Sequence, residues 1–205
     1  MFRYENINYE KVVVHLLYFD DFDPEEYAFE LLASEREHLA TIKHIKRKRE
    51  YIATRLLRNR LFGKKPIIYS EIGAPSIKDN IEISISHTNN IVGIACCREY
   101  SIGLDIEQIQ DKVLRVKNKF LSRQEKEWFN LNSMEEMTKV WSGKEALYKL
   151  AGRKRIIFSE NLNLFKRSDE VWEGNIVFKD FNKKVLLSLK REGEFIISTS
   201  ISRLS

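Results

Sequence analysis

The chain has 205 residues, of which 43% are hydrophobic and 11% aromatic, so the composition excludes a disordered protein and predicts a packed one of one or two domains. Its formal net charge of +5 and pI near 9.1 favour an anionic partner, and charge alone leaves nucleic acid, a phosphate-bearing ligand and an acidic protein open. No apolar segment resembles a membrane span or a signal peptide, and the neighbouring Cys96 and Cys97 predict reduced core thiols. We therefore expect a soluble, cytoplasmic protein with no membrane partner.

The first third of the chain predicts a strand followed by helices. Val12–Phe19 is a continuous apolar run, which is typical of a buried strand. Asp23 has the chemistry of an N-cap with Pro24 at the first helical position, and the segment up to about residue 61 is helical in character. A break is predicted near Ser34, because Ser34–Glu37 has the Ser-x-x-Glu spacing of a capping box.

The second part of this helical segment is strongly basic. Apolar residues recur in it at helical spacing, so one face is predicted to be core and another cationic. A solvated charged face and an anion-binding face, with phosphate as the ligand, both remain open. The basic residues are Lys43, Lys46, Arg47, Lys48, Arg49, Arg55, Arg58 and Arg60.

A predicted β-hairpin occupies the middle of the chain. Ile67–Tyr69 is a predicted short strand, and residues 81–97 combine an alternating strand, a polar turn that contains His87 and a returning apolar strand. The polar segment Arg98–Ser101 follows. We predict a boundary there, between an N-terminal subdomain at residues 1–100 and a C-terminal subdomain at residues 101–205.

The second half repeats helices followed by strands. A helical stretch to about residue 129 contains a capping-box pattern at Ser122–Glu125, and a long helix is predicted over residues 135–151 with Gly152 as its stop. Strands are predicted over residues 161–165, 171–178, 184–189 and 195–201. The fold class expected is α+β, with two similar units that each pack a small antiparallel sheet on helices.

Two carboxylates lie on one predicted strand, Ile102–Glu107. Apolar residues alternate there with Gly103, Asp105 and Glu107, so the two acidic side chains share a side and lie roughly 7 Å apart. Adjacent carboxylates repel when both are ionised, and a divalent cation with hard oxygen ligands removes that cost. A metal seat is the functional interpretation, and a solvated strand face is the alternative.

Two further clusters accompany the carboxylates, and each has an ordinary structural interpretation on its own. Ser86-His87 ends a strand, where a plain turn is common. Within Trp141–Lys149, Glu145 and Lys149 are four residues apart, which is also the spacing of a surface ion pair. Taken together and in this order, the three clusters are far more specific.

The sequence resembles the 4′-phosphopantetheinyl transferase superfamily, specifically its larger, surfactin-synthetase-activating type. The family marks are Ser-His after an alternating strand, Gly-x-Asp-x-Glu, and Trp-x-x-Lys-Glu-x-x-x-Lys, which stand here at residues 86–87, 103–107 and 141–149. The resemblance implies a monomeric pseudo-dimer of two α+β units with coenzyme A in the cleft. It also implies holo-acyl-carrier-protein synthase activity: a serine of an acyl or peptidyl carrier protein attacks the β-phosphate, and adenosine 3′,5′-bisphosphate leaves. Mg²⁺, or Mn²⁺, is the implied cofactor, and coenzyme A is the substrate.

The resemblance also implies roles for individual residues. Asp105, Glu107 and Glu145 would bind the metal, and Glu145 would act instead, or in addition, as general base. Lys149 would offset charge on the leaving group. The predicted coenzyme A contacts are Ser86, His87, Lys144, Lys149, Arg49 and Arg55, the two arginines being assigned to the 3′-phosphate. The family often has a basic residue between Gly and Pro before the Ser-His strand, and Ala74 stands there in this chain.

Two rival functions use parts of the same sequence. A nucleic-acid-binding protein would use the basic helix and would not need the carboxylates. A Mg²⁺-dependent phosphodiesterase would use the carboxylates, but neither rival needs Trp141–Lys149 in its present form. A nucleic-acid partner is therefore not expected. The acidic helix beside the target serine of carrier proteins suits the basic charge of this chain.

Overall fold

A computed structural model describes residues 1–152, 155–178 and 181–204. In the N-terminal half, the strands β1, β2, β6 and β5 form an antiparallel sheet in that order, and β3 pairs with β4 in a small ribbon. The helices α1 and α2 follow a short 3₁₀ helix at Pro24–Glu30. The bounds are β1 (Phe2–Asn8), β2 (Val12–Phe19), α1 (Ala33–Thr41), α2 (Ile45–Phe62), β3 (Ile67–Tyr69), β4 (Pro75–Ile77), β5 (Glu82–Thr88) and β6 (Ile91–Cys97).

The C-terminal half contains a second antiparallel sheet in the order β7-β11-β10-β9-β8. Four helices connect β7 to the other strands of this sheet, and α5 is the longest of them. The bounds are β7 (Leu104–Gln108), α3 (Lys112–Val116), α4 (Arg123–Trp128), α5 (Met134–Leu150), α6 (Phe158–Asn161), β8 (Leu162–Lys166), β9 (Val171–Phe178), β10 (Phe181–Glu192) and β11 (Phe195–Leu204). The fold is therefore the predicted α+β arrangement of small antiparallel sheets packed on helices. The predicted boundary falls between β6 and β7, and the division into subdomains stays a prediction.

Most of the predicted elements are present, and the errors lie near the N-terminus. Asp23 caps the 3₁₀ helix by accepting the backbone N–H of Glu25 at 3.1 Å. The capping box at Ser34 was wrong: α1 begins at Ala33, and the Glu35 carboxylate accepts the N–H of Leu32 at 3.0 Å. The strand β1 was missed because it is an edge strand whose residues stay largely exposed, which leaves no clear alternation. In the described residues, no helix is long and apolar enough to span a membrane.

The strand β7 lies where the two halves of the molecule meet. Leu104 and Ile106 are buried in a core shared with residues of β2 and β6. The edge of β7 that does not pair with β11 is satisfied by serine hydroxyls of β5: Ser84 Oγ accepts the N–H of Leu104 at 2.9 Å, and Ser86 Oγ accepts that of Ile106 at 3.1 Å. These bonds fix β7 against the N-terminal sheet.

The helix α5 packs closely on β7 at Gly103. A Cβ atom at this position would lie 1.9 Å from the carbonyl oxygen of Ala146, so only glycine allows the observed approach of helix to strand. This contact brings the polar face of α5 beside the carboxylates of β7.

Candidate active site

Asp105 is the buried centre of the site. Its side chain is 7% exposed, and its Oδ1 accepts hydrogen bonds from Lys149 Nζ at 2.8 Å and from Ser86 Oγ at 3.2 Å. Its Oδ2 is buried and has no hydrogen-bond partner among the described residues. A buried carboxylate oxygen without a partner is costly unless a ligand or cation binds it.

Glu107 lies on the same side of β7 and is half-buried. Trp141 Nε1 donates a hydrogen bond to its Oε1 at 2.9 Å. Burial, and secondly the neighbouring charge of Asp105, raise the pKa of Glu107 to about 7, after the smaller opposing effects of Trp141 and Lys149. The two carboxylates therefore carry more negative charge than the local cations balance.

The helix α5 presents three predicted site residues on one face. Trp141 contacts Glu107 and Lys149 contacts Asp105, and Glu145 lies between them, four residues from each. Because residues four apart are neighbours on a helix surface, Glu145 lies on the same face of α5 as Trp141 and Lys149. The structure thus brings Lys149 to Asp105 and Trp141 to Glu107, and the place of Glu145 in the site stays a prediction.

The donor set fits a hard divalent cation. In the described part of the chain, no three His, Cys, Asp or Glu side chains are grouped to hold a metal ion as they now stand. However, carboxylate oxygens suit Mg²⁺, and the buried, unpartnered Asp105 Oδ2 is an oxygen that such a cation would bind. A side-chain rotation of Glu145 would be the adjustment needed to complete the set.

Ser86 has a different contact from the one predicted. Its hydroxyl donates to Asp105 and accepts from Lys149 Nζ at 3.1 Å and from the N–H of Ile106. It is 6% exposed, so no hydrogen-bonding capacity or surface remains for a phosphate. In this structure Ser86 holds Asp105 and Lys149 in place, and its predicted contact with a coenzyme A phosphate stays a prediction.

Lys144 also has different contacts from those predicted. Its side chain is fully buried, and Nζ donates to Glu125 at 2.6 Å and to the carbonyl oxygens of Phe120 and Phe158 at 2.7 and 3.0 Å. All three protons are used inside the core in this structure, and the predicted phosphate contact of Lys144 stays a prediction. The same Glu125 completes the capping box predicted at Ser122, since it accepts the N–H of Ser122 at 2.8 Å.

A cavity of about 770 Å³ lies beside this site, between α1, α2, the β3–β4 ribbon and β5. Arginine and tyrosine side chains line much of it, together with two carboxylates and the His87 ring. Because it is large and lined by cationic and aromatic groups, the cavity is suited to a nucleotide-sized anion. The residues central to this description are Glu35, Arg47, Glu50, Tyr51, Arg55 and His87.

Arg55 lies in the wall of this cavity, between an aromatic ring and a carboxylate. Its guanidinium stacks on the Tyr51 ring, 3.6 Å from the centroid, and its Nε lies 3.4 Å from Glu35 Oε1. Burial raises the pKa of Glu35, but hydrogen bonds from Arg58 and from the Leu32 N–H outweigh this effect, so its pKa is below the usual value. The structure thus places Arg55 at the cavity, and its phosphate role stays a prediction.

Arg49 does not line this cavity, and its predicted contact with the 3′-phosphate stays a prediction. Its Nη1 pairs with Asp21 at 2.7 Å and its Nε donates to the carbonyl of Phe22 at 2.8 Å. Two residues along a helix rotate a side chain by about 200°, so Arg47 faces the cavity and Arg49 faces away. Arg47 is the residue that the sequence argument missed, and the positions Arg47, Glu50–Tyr51 and Thr54–Arg55 share the helical period that could have identified it.

His87 connects the cavity to the carboxylates. It lines the cavity, its side chain is 51% exposed, and its Nδ1 lies 3.4 Å from Glu50 Oε2. Alternation along β5 explains why Ile85 and His87 face the cavity whereas Ser84 and Ser86 face β7.

Comparison with known families agrees with this geometry. Residues 101–199 match the model of the 4′-phosphopantetheinyl transferase superfamily and form a domain of that superfamily. The resemblance stated from the motifs is thereby confirmed, and the larger subtype stays a prediction. A search of curated proteins found no match. The matched range contains Asp105, Glu107 and the whole of α5.

Proposed function

We propose that this protein transfers 4′-phosphopantetheine from coenzyme A to a serine of an acyl or peptidyl carrier protein, releasing adenosine 3′,5′-bisphosphate. The observation that carries the proposal is the pair of carboxylates Asp105 and Glu107, which α5 contacts through Lys149 and Trp141 inside a domain of this superfamily. A large cavity lined by arginine, tyrosine and His87 side chains accompanies it.

The cavity is the proposed coenzyme A site. Arg47 and Arg55 supply positive charge for phosphate groups, and the rings of Tyr51 and Tyr69 line the same space. Arg55 is preorganised by Tyr51 and Glu35, so little conformational entropy is lost when a phosphate binds it. His87 would contact a phosphate nearer to the carboxylates.

Asp105, Glu107 and Glu145 would hold Mg²⁺, with Mn²⁺ as a chemically similar substitute. When bound, the cation would neutralise charge that develops on the pyrophosphate oxygens as the phosphate bond breaks. Glu145 has a second available role, to accept the proton of the carrier serine, directly or through a water. Lys149 and Ser86 fix Asp105 in one orientation, with Oδ2 left available.

The carrier protein is the proposed macromolecular partner. The chain has a net charge of +5, and electrostatic steering towards the acidic helix of a carrier would raise the association rate. Transfer should therefore slow as ionic strength increases.

Intact-protein mass spectrometry of purified apo carrier proteins tests this function. Incubation with this protein, coenzyme A and Mg²⁺ should add about 340 Da to the carrier, the phosphopantetheine increment of this phosphoryl transfer. Omission of the metal with a chelator should abolish the gain. Absence of any gain on several acyl and peptidyl carriers, together with no calorimetric binding of coenzyme A, would contradict the proposal. Release of adenosine 3′,5′-bisphosphate without a carrier would indicate a phosphodiesterase instead.

A further inference from the structure

A carboxylate in the wall of an anion-binding cavity requires an explanation. Glu50 is 8% exposed and lines the cavity together with Arg47 and Arg55. Its negative charge repels a phosphate ligand, so its presence there opposes binding unless it acts through another residue.

Among the residues that the structure describes, His87 is the cavity residue that makes a close polar contact with the Glu50 carboxylate. Glu50 Oε2 lies 3.4 Å from His87 Nδ1. Glu50 belongs to an 18-residue helix whose Ile52, Ala53 and Leu57 are buried in the core, so its position is fixed by packing. By contrast, the His87 side chain is 51% exposed, so its ring is less constrained by the core than Glu50 is.

The charges around His87 come from three elements. Burial lowers the pKa of His87, the Glu50 carboxylate of α2 and Asp105 of β7 raise it, and Lys149 of α5 and Arg47 of α2 lower it. Glu50 is the largest influence that favours the protonated imidazolium, which is the form that binds a phosphate with a full charge.

We propose that Glu50 is a positioning residue that holds His87 through Nδ1, so that Nε2 faces the cavity and, in the imidazolium form of the ring, donates a hydrogen bond to a phosphate oxygen of the bound ligand. The proposal extends the proposed function, since it names how one phosphate contact of the coenzyme A site is built. Glu50 itself touches no reacting atom. Its loss affects ligand binding only through the ring of His87.

The first test is NMR titration of the ligand-free protein. His87 is identified among the four histidines by the signal that His87→Gln removes.

In wild type, the two-bond proton–nitrogen correlations should show the neutral ring protonated on Nδ1. Glu50→Gln should lower the pKa of His87 and abolish this tautomer preference. Glu25→Gln is the control, because Glu25 is also a carboxylate beside α2 but pairs with Lys48. This variant should leave the pKa and the tautomer of His87 unchanged. An unchanged His87 titration in Glu50→Gln would overturn the proposal.

The second test is a double-mutant cycle on coenzyme A affinity, measured by calorimetry. Glu50→Gln should weaken binding roughly 3- to 10-fold near pH 7. The loss should shrink as the pH is lowered and His87 becomes protonated in both the wild type and the variant. In a His87→Gln background, the same substitution should change affinity by less than about 2-fold. An equal loss in both backgrounds would show that Glu50 acts independently of His87. If wild type did not bind coenzyme A, the proposed function would fail, whereas the NMR titration would still decide whether Glu50 holds His87.

Discussion

The carboxylate cluster and the cavity differ in the sign of the charge that each leaves uncompensated. At the cluster, Lys149 is the cation bonded to Asp105, and one oxygen of Asp105 has no partner in the described residues. In the wall of the cavity, Glu35 is bonded to Arg58 as well as to Arg55. Together with Arg47, these arginines carry one positive charge more than Glu35 and Glu50 offset. One region is therefore suited to a cation and the other to an anion. A pyrophosphate ligand that carries a divalent cation would satisfy both at once.

The largest effect is expected at the cluster. Asp105→Asn keeps the size of the side chain but removes the negative charge that the metal requires, so transfer to a carrier should fall by about 100-fold or more. The measurement is the initial rate of carrier modification. Coenzyme A binding without metal serves as the control and should persist. A rate within a few-fold of wild type would exclude Asp105 as a metal ligand.

Two lysines of α5 provide the next comparison. Lys144→Met leaves Glu125 buried without its cation, so the free energy of unfolding should fall by about 3–5 kcal/mol. Lys149→Met removes the same charge from a more open position and should cost clearly less. Urea denaturation of both variants measures the difference. Equal losses of unfolding free energy would mean that the two ion pairs contribute equally to stability.

The cavity predicts a contrast between neighbouring arginines. Arg55→Ala and Arg47→Ala should each weaken coenzyme A binding about 10-fold, because each removes a charge that faces the ligand. Arg49→Ala should change it by less than about 2-fold, since Arg49 pairs with Asp21 on the other side of α2. Calorimetric titration of the three variants with coenzyme A measures these affinities. A larger loss for Arg49 than for Arg47 would place the ligand elsewhere.

The smallest effect concerns pH and Glu107. Its pKa is about 7 in the folded protein and near its ordinary value of 4.5 when unfolded, so the folded state binds the proton more tightly. Stability should therefore fall as pH rises from about 4.5 through 7. Glu107→Gln should raise the Tm of the metal-free protein by a few degrees at pH 8, where about 1 kcal/mol corresponds to about 2–4 °C. Below pH 4.5 the gain should vanish. A destabilised variant at pH 8 would contradict the charge imbalance.

The sequence could predict the cluster because local periodicity determines most of it. Asp105 and Glu107 share a strand face by the two-residue period, and Glu145 and Lys149 share a helix face by the four-residue period. Their meeting follows once α5 packs on β7. The capping box at Ser122 was likewise local and was confirmed.

The remaining assignments depend on which face of an element is buried, and this is set by tertiary packing. Lys144 and Lys149 belong to one motif, yet five residues of helix rotate one into the core and the other to the site. Ser86 and His87 are adjacent, and strand alternation sends them to opposite sides. The cavity itself joins α1, α2, β3–β4 and β5, so no single stretch of sequence contains it.

The most direct test of the account is whether one ligand uses both regions. Coenzyme A affinity should be measured by calorimetry with and without Mg²⁺ for wild type, Asp105→Asn and Arg55→Ala. We predict that the metal strengthens binding to wild type, that Asp105→Asn removes this enhancement, and that Arg55→Ala weakens binding by the same factor under both conditions. Two results would show that the cluster and the cavity do not act on the same ligand. One is that Mg²⁺ still strengthens binding to Asp105→Asn, and the other is that the affinity of wild type does not depend on Mg²⁺.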